Sequence, residues 1–127
     1  MSNRAVITST DAPQALGPYS QAVKVGNTIW LSGQVPLVAE TMELVSGDIS
    51  AQATQVFENL AAVATAAGCT LNDAVKINIS LTDMNDFAAV NEVMSHFLQE
   101  PYPARACVQV AALPKGAAIE VEAILAS

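Results

Sequence analysis

The chain has 127 residues, the length of one ordinary domain that buries about two-thirds of its unfolded surface. Apolar residues make up 52% of it and charged residues only 13%, against about 25% charged in an average globular chain, which excludes intrinsic disorder and leaves too few charges to coat a free-standing subunit. The formal charge is −7, and the few cations are scattered at Arg4, Lys24, Lys76, Arg105 and Lys115, which argues against nucleic acid and anionic membrane as partners.

The charge deficit predicts a subunit that hides part of its surface in an oligomer interface. No apolar run approaches the ~18–20 residues of a membrane helix. The amino-terminal stretch from Met1 to Thr10 lacks a signal peptide's apolar core, so a soluble, cytoplasmic protein is expected. Cys69 and Cys107 form no CxxC pair and have only the lone His96 for company, so both are expected to be free thiols, with no metal site.

Residues 1–127 read as a single domain with the element order β-β-β-α-β-α-β-β. Arg4 to Ser9 is a weak strand, broken by Asp11-Ala-Pro13 before the loop Leu16-Gly17-Pro18. Ser20–Val25 and Thr28–Ser32 are β-rich runs around Gly26-Asn27, a two-residue hairpin signal. From Asp48 the period changes: Ile49, Ala53, Val56, Leu60, Val63 and Ala67 make one apolar helical face, with Gln52, Gln55, Glu58 and Asn59 away from its centre. Asp48 is the expected N-cap and Gly68 the expected residue just past the end. An alternating strand follows, with Val75, Ile77, Ile79 and Leu81 on one face and Lys76, Asn78 and Ser80 on the other.

Asp83 or Asn85 caps a second helix with the stripe Phe87, Val90, Met94, Phe97 and Leu98, and Asn91 beside it. Pro101 and Pro103 end that helix. Ala104–Val110 and Ile119–Leu125 are then strands joined as a hairpin through Leu113-Pro-Lys-Gly116. Two amphipathic helices cover one face of such a sheet and leave the other for water or a second subunit.

Period-two geometry sorts the penultimate strand into Ala104, Ala106, Val108 and Val110, expected to face the helices, and Arg105, Cys107 and Gln109 on the uncovered side. A hairpin around Pro114-Lys115 would set Gln109 opposite Glu120 and Cys107 opposite Glu122, so that Arg105 and a glutamate share one face. An arginine fork binds a carboxylate bidentately and a partly desolvated glutamate handles a water proton, which outlines a small-acid site. The same spacing also describes a solvated cross-strand ion pair. His96 reads as a surface histidine, Cys107 as a small half-buried residue without an activating base, and Lys115 as a solvated loop lysine. Trp30 reads as core or interface. Tyr19, in the tight loop Gly17-Pro18-Tyr19-Ser20-Gln21, and Ser32-Gly33-Gln34 at a strand end each read either as the border of a site or as plain turn and bulge.

Taken together, Gly17-Pro18-Tyr19-Ser20-Gln21, Ser32-Gly33-Gln34-Val35-Pro36, Asp86-Phe87 with Asn91, Pro103-Ala104-Arg105-Ala106-Cys107-Val108, Leu113-Pro114-Lys115-Gly116-Ala117 and Ile119-Glu120-Val121-Glu122-Ala123 resemble the RidA/YjgF family of imine deaminases. The resemblance implies an α+β, chorismate-mutase-like fold with a mixed six-stranded sheet, two helices on one face, and a homotrimer with sites between subunits. It implies hydrolysis of 2-iminopropanoate or 2-iminobutanoate to the 2-oxo acid and ammonia, without cofactor or metal. Arg105 would bind the substrate carboxylate, the backbone at Cys107 would contact the imine nitrogen, and Glu120 would position and activate water. Tyr19, Ser32, Gly33 and Asn91 would line or support the pocket.

Two departures stand out. The stretch before Pro103 is shorter than the family's usual loop, which predicts an altered cleft wall near Arg105. Met42 occupies a turn position where the family usually has glycine, and since methionine disfavours positive φ a rearranged loop is expected there. A non-catalytic 2-oxo-acid-binding protein of the same fold is the principal rival reading. RNA cleavage, ascribed to some relatives, runs against the −7 charge.

Overall fold

In the computed structural model, which describes residues 3–127, the chain opens as an antiparallel meander of β1 (Ala5–Ile7), β2 (Ala22–Val25) and β3 (Thr28–Gln34). Met1 and Ser2, at the start of the segment read for a signal peptide, lie outside the described residues. The β2–β3 hairpin closes where the sequence places it: Val25 pairs with Thr28, and Gly26 takes φ 61°, which a residue without Cβ adopts at no steric cost. A register shift between Leu31 and Gln34 interrupts the pairing of β3 with the last strand, and Gly33 sits inside that bulge.

Helix α1 (Ile49–Ala66) begins and ends on its sequence signals. The Asp48 carboxylate accepts from the Ala51 N–H at 3.0 Å. At the other end Gly68 has φ 79°, the Cys69 N–H reaches the Ala64 carbonyl and the Gly68 N–H reaches Thr65, a Schellman closure. The buried face includes Ala53, Val56, Leu60 and Val63 as expected, together with Phe57.

Asn59 departs from expectation: it is buried rather than peripheral. Its Nδ2 donates to the Leu37 carbonyl at 2.9 Å and its Oδ1 accepts from Gln55 at 2.9 Å. The segment after β3 has left the sheet there, and a buried amide meets carbonyls that would otherwise go unsatisfied.

Strand β4 (Ala74–Leu81) buries Ile77, Ile79 and Leu81, but Val75 is 49% exposed because a register shift between Ala74 and Lys76 turns it to the other face. Asp83, not Asn85, supplies the cap for the next helical segment, accepting from the Asn85 N–H across a 3₁₀ turn (Met84–Asp86) that runs into α2 (Phe87–Phe97). The helices meet through stacked Phe57 and Phe97 rings, centroids 5.5 Å apart.

The sheet order is β1-β2-β3-β6-β4-β5, where β5 is Ala104–Gln109 and β6 is Ile119–Ala126. This corrects the expected hairpin. Strand β5 is parallel to β4 at the sheet edge, and β6 lies antiparallel between β3 and β4. Both helices therefore connect parallel strands and cover one face. Residues 110–118 carry the chain across the end of β4, tied down where Val110 N–H reaches the Leu81 carbonyl and Thr82 N–H reaches Ala118. Ile119, Val121, Ala123 and Leu125 of the central β6 pack with Phe57, Leu60, Ile77 and Ile79 into the core, each large side chain contributing about 1.5–3 kcal/mol.

The turn around Met42 also differs from expectation, since the methionine itself takes the positive φ expected to force a rearrangement. Met42 adopts φ 60° and its N–H closes on the Val38 carbonyl at 2.7 Å, while Leu37 and Leu44 bridge behind it.

Candidate active site

The face assignment in β5 is inverted. Arg105, Cys107 and Gln109 pair beside the buried Ile77, Ile79 and Leu81 and so point to the helix side, while Ala104, Ala106 and Val108 point to the bare face, where Val108 is 53% exposed. Alternation separates two sets of residues but does not say which set the helices cover. Arg105 is held by α2: its Nη1 donates to Asn91 Oδ1 at 2.7 Å, and its guanidinium carbon lies 5.0 Å over the Phe87 ring. Among the described residues no carboxylate pairs with it, so most of its N–H donors are uncommitted. It opens on a cleft of about 470 Å³ walled by Met94, Leu98, Tyr102 and Pro103.

Glu120 stands elsewhere. It pairs with Ser80 and Glu122 pairs with Asn78, on the face opposite Arg105, so the expected sharing of one face by Arg105 and a glutamate does not occur within one chain. The Glu120 side chain lies over Gly33. A Cβ added at Gly33 would meet Glu120 Cδ at 2.9 Å and Oε1 at 3.0 Å, so the close approach requires glycine. Burial pushes the Glu120 carboxyl above the usual glutamate range, and the neighbouring Glu122 pushes it further. Glu122 accepts from Asn78 Nδ2 at 3.2 Å, whereas Glu120 has no hydrogen-bond partner among the described residues. Its cleft, about 370 Å³, is bordered by Tyr19, Gln21, Gly33, Leu37, Met42 and Lys115.

Of the other expected site residues, Tyr19 and Gly33 line the Glu120 cleft and Asn91 lines that of Arg105. Tyr19 rims the Glu120 cleft at 54% exposure. Ser32 donates its hydroxyl to the Ser20 carbonyl at 2.6 Å and thereby pins the Tyr19 loop to β3. Asn91 touches Arg105. Cys107 is half-buried against the core, and burial raises its thiol above the ordinary range, with Arg105 only partly offsetting this. That holds the sulfur protonated and makes it a poor nucleophile.

His96 sits on the exposed side of α2, 3.4 Å from Glu92. Trp30 is on the bare face and 49% exposed. Among the described residues no group of three or more His, Cys, Asp or Glu is placed to hold a metal ion.

Residue reading undervalued two participants. Gln21 is the clamp of the first loop: buried, it accepts from Ser9 N–H at 2.6 Å and donates to Pro13 O at 2.7 Å. Phe87, taken as part of the apolar stripe, carries the guanidinium on its ring. A buried glutamine beside a proline-broken loop is a usable signal for the first; the second belongs to the Asp86-Phe87 motif piece, but its residue type does not by itself place a guanidinium over the ring.

A family model described as Endoribonuclease L-PSP matches residues 9–127. The chain belongs to that family. A 2-iminobutanoate/2-iminopropanoate deaminase of Dermatophagoides farinae is 50% identical, covering 98% of each chain. The crystal structure of RidA from the Antarctic bacterium Psychrobacter sp. PAMC 21119 is 59% identical with a TM-score of 0.93, covering 97% of this chain and 99% of that one. The crystal structure of Escherichia coli TdcF with bound serine is 41% identical with a TM-score of 0.91, covering 97% of this chain and 98% of that one. The family is thus the RidA/YjgF group that the sequence motifs resemble.

Proposed function

We propose that the protein is a cofactor-independent 2-iminobutanoate/2-iminopropanoate deaminase whose sites form between copies of the chain. The observation that carries this reading is the separation of its two working groups. An arginine with open donors and a basic, unpartnered glutamate occupy opposite faces of one sheet, so a single ligand reaches both only if a second copy supplies one of them. The bare face favours such assembly. It exposes Val6 at 65%, Trp30 at 49% and Val108 at 53%, apolar area that a charge-poor chain covers by packing against itself. We infer three copies in a chorismate-mutase-like ring, each a single domain, in the cytoplasm.

In the reaction, Arg105 binds the carboxylate of R–C(=NH₂⁺)–COO⁻ through its free N–H groups and the exposed edge of β5 offers backbone at Cys107 to the nitrogen. Glu120 takes a proton from water as its oxygen attacks the imine carbon, then returns it to nitrogen. The carbinolamine then collapses: its hydroxyl gives its proton to Glu120 as the C=O bond forms, ammonia leaves with the C–N electron pair, and the proton passes on to it as ammonium, leaving the 2-oxo acid. Tyr19, Ser32, Gly33 and Asn91 shape and support the two half-sites. Five scattered cations and a net charge of −7 give RNA no phosphate-binding stripe.

Mixing unfolded Arg105→Ala and Glu120→Gln chains and refolding them together tests the shared site. Random assembly should restore wild-type pairs at roughly one quarter of sites, raising turnover above that of either variant alone. No recovery by a co-assembled mixture would overturn the intersubunit arrangement. Gly33→Ala should fold but swing Glu120 aside, lowering kcat by about 100-fold with 2-oxobutanoate binding retained by calorimetry.

A further inference from the structure

Two non-glycine residues among those described have positive φ, Met42 at 60° and Lys115 at 62°, and both border the Glu120 cleft. Backbone strain concentrated at one cleft is a pointer to function rather than to folding, because a glycine or asparagine would make either turn at lower cost. At Met42 the turn is fully determined without its side chain. The Met42 N–H closes on Val38 O, the Val38 N–H reaches Glu43 O at 2.9 Å, and the Leu37–Leu44 bridge holds the base. What methionine adds is a long, apolar, half-buried side chain on the border of the cleft that Leu37 and Glu120 also line. Lys115 in the Pro-Lys-Gly turn is exposed and adds no such wall.

We propose that Met42 is a specificity-determining residue: it narrows the Glu120 cleft so that short aliphatic 2-imino acids fit and branched or aromatic ones are excluded. This rests on the deaminase reading. On that reading an acid with its imine carbon at Glu120 occupies the cleft that Met42 lines, and the size of this wall residue sets the side-chain length accommodated. Unbranched thioether carbons pack against a two- or three-carbon chain without a polar group to desolvate.

The test compares wild type with Met42→Gly and Met42→Asn, which both suit a left-handed turn and shorten the wall, and with Met42→Leu, which keeps it. Imines are generated in situ by an amino-acid oxidase from 2-aminobutyrate and from phenylalanine, and 2-oxo acid release is followed. The ratio of kcat/KM for the aromatic imine over 2-iminobutanoate should rise about tenfold or more in the glycine and asparagine variants and stay near wild type in the leucine variant. For 2-iminobutanoate the loss should fall on KM, with kcat kept, a split that mere destabilisation does not produce. An unchanged ratio in either shortened variant that melts cooperatively would overturn the proposal. A wild type that turns over neither imine would instead sink the deaminase reading. The Met42 proposal is then decided by calorimetry, as the ratio of dissociation constants for phenylpyruvate and 2-oxobutanoate in the same four proteins.

Discussion

Arg105→Ala should weaken 2-oxobutanoate binding by roughly 10- to 150-fold, the worth of charge-assisted hydrogen bonds of about 1.5–3 kcal/mol, and should lower kcat/KM at least as much. The effect is large because, among the described residues, no other cation lines this cleft. The guanidinium is already in place, supported by Asn91 at 2.7 Å and by the Phe87 face, so little conformational entropy remains to be lost when a carboxylate arrives. Arg105→Lys should not restore binding, since an ammonium cannot bond Asn91, lie flat on Phe87 and grip a carboxylate with two parallel N–H groups at once. Calorimetric titration with 2-oxobutanoate checks this, and wild-type affinity in the alanine variant would remove Arg105 as the anchor.

Glu120→Gln should lower kcat by about 10²- to 10⁴-fold while leaving 2-oxobutanoate affinity near wild type, because the amide keeps the shape over Gly33 but cannot accept a proton. The pH dependence has a definite sign. Burial and Glu122 raise the carboxyl, so the folded protein holds this proton more tightly than the unfolded chain does. In wild type, activity should fall as pH drops through this raised value, giving an acid limb above the ordinary glutamate range. Stability runs the other way: between the ordinary value and the raised one, Glu120 costs the fold progressively more as pH rises and it ionises. The glutamine variant escapes that cost, so its melting temperature relative to wild type should increase with pH across the window. A melting difference independent of pH would contradict the raised carboxyl. An unchanged kcat would remove the role in proton transfer.

Legibility from sequence followed how local each signal is. The Gly26-Asn27 turn, the Asp48 cap and the Gly68 stop are decided by a few adjacent residues, and all three appear where expected. The strand pairing of the last two segments is not local. The sequence places them side by side, while in the fold β4 separates them, because the chain between Gln109 and Ile119 is long enough to cross a strand end and β6 buries more apolar surface in the centre than at an edge.

Val75 and Asn59 failed for related reasons. A bulge flips one residue out of an otherwise regular alternation, and a buried amide is licensed only by carbonyls that arrive from a distant segment. Met42 shows that a closed turn and its bridge can hold a methionine where the backbone by itself prefers glycine.

What the sequence by itself determined is chemical: its motifs resemble a family whose pattern makes Arg105 and Glu120 the expected site residues, and its low charge content predicts surface hidden in an interface. What only the tertiary structure decided is spatial. Inverting the faces of β5 carries Arg105 onto the α2 side and leaves Glu120 on the bare side, so two residues that the linear order brings together are separated by the sheet itself. Side-chain alternation is a property of one strand, whereas which face meets a helix depends on how every strand and helix packs at once.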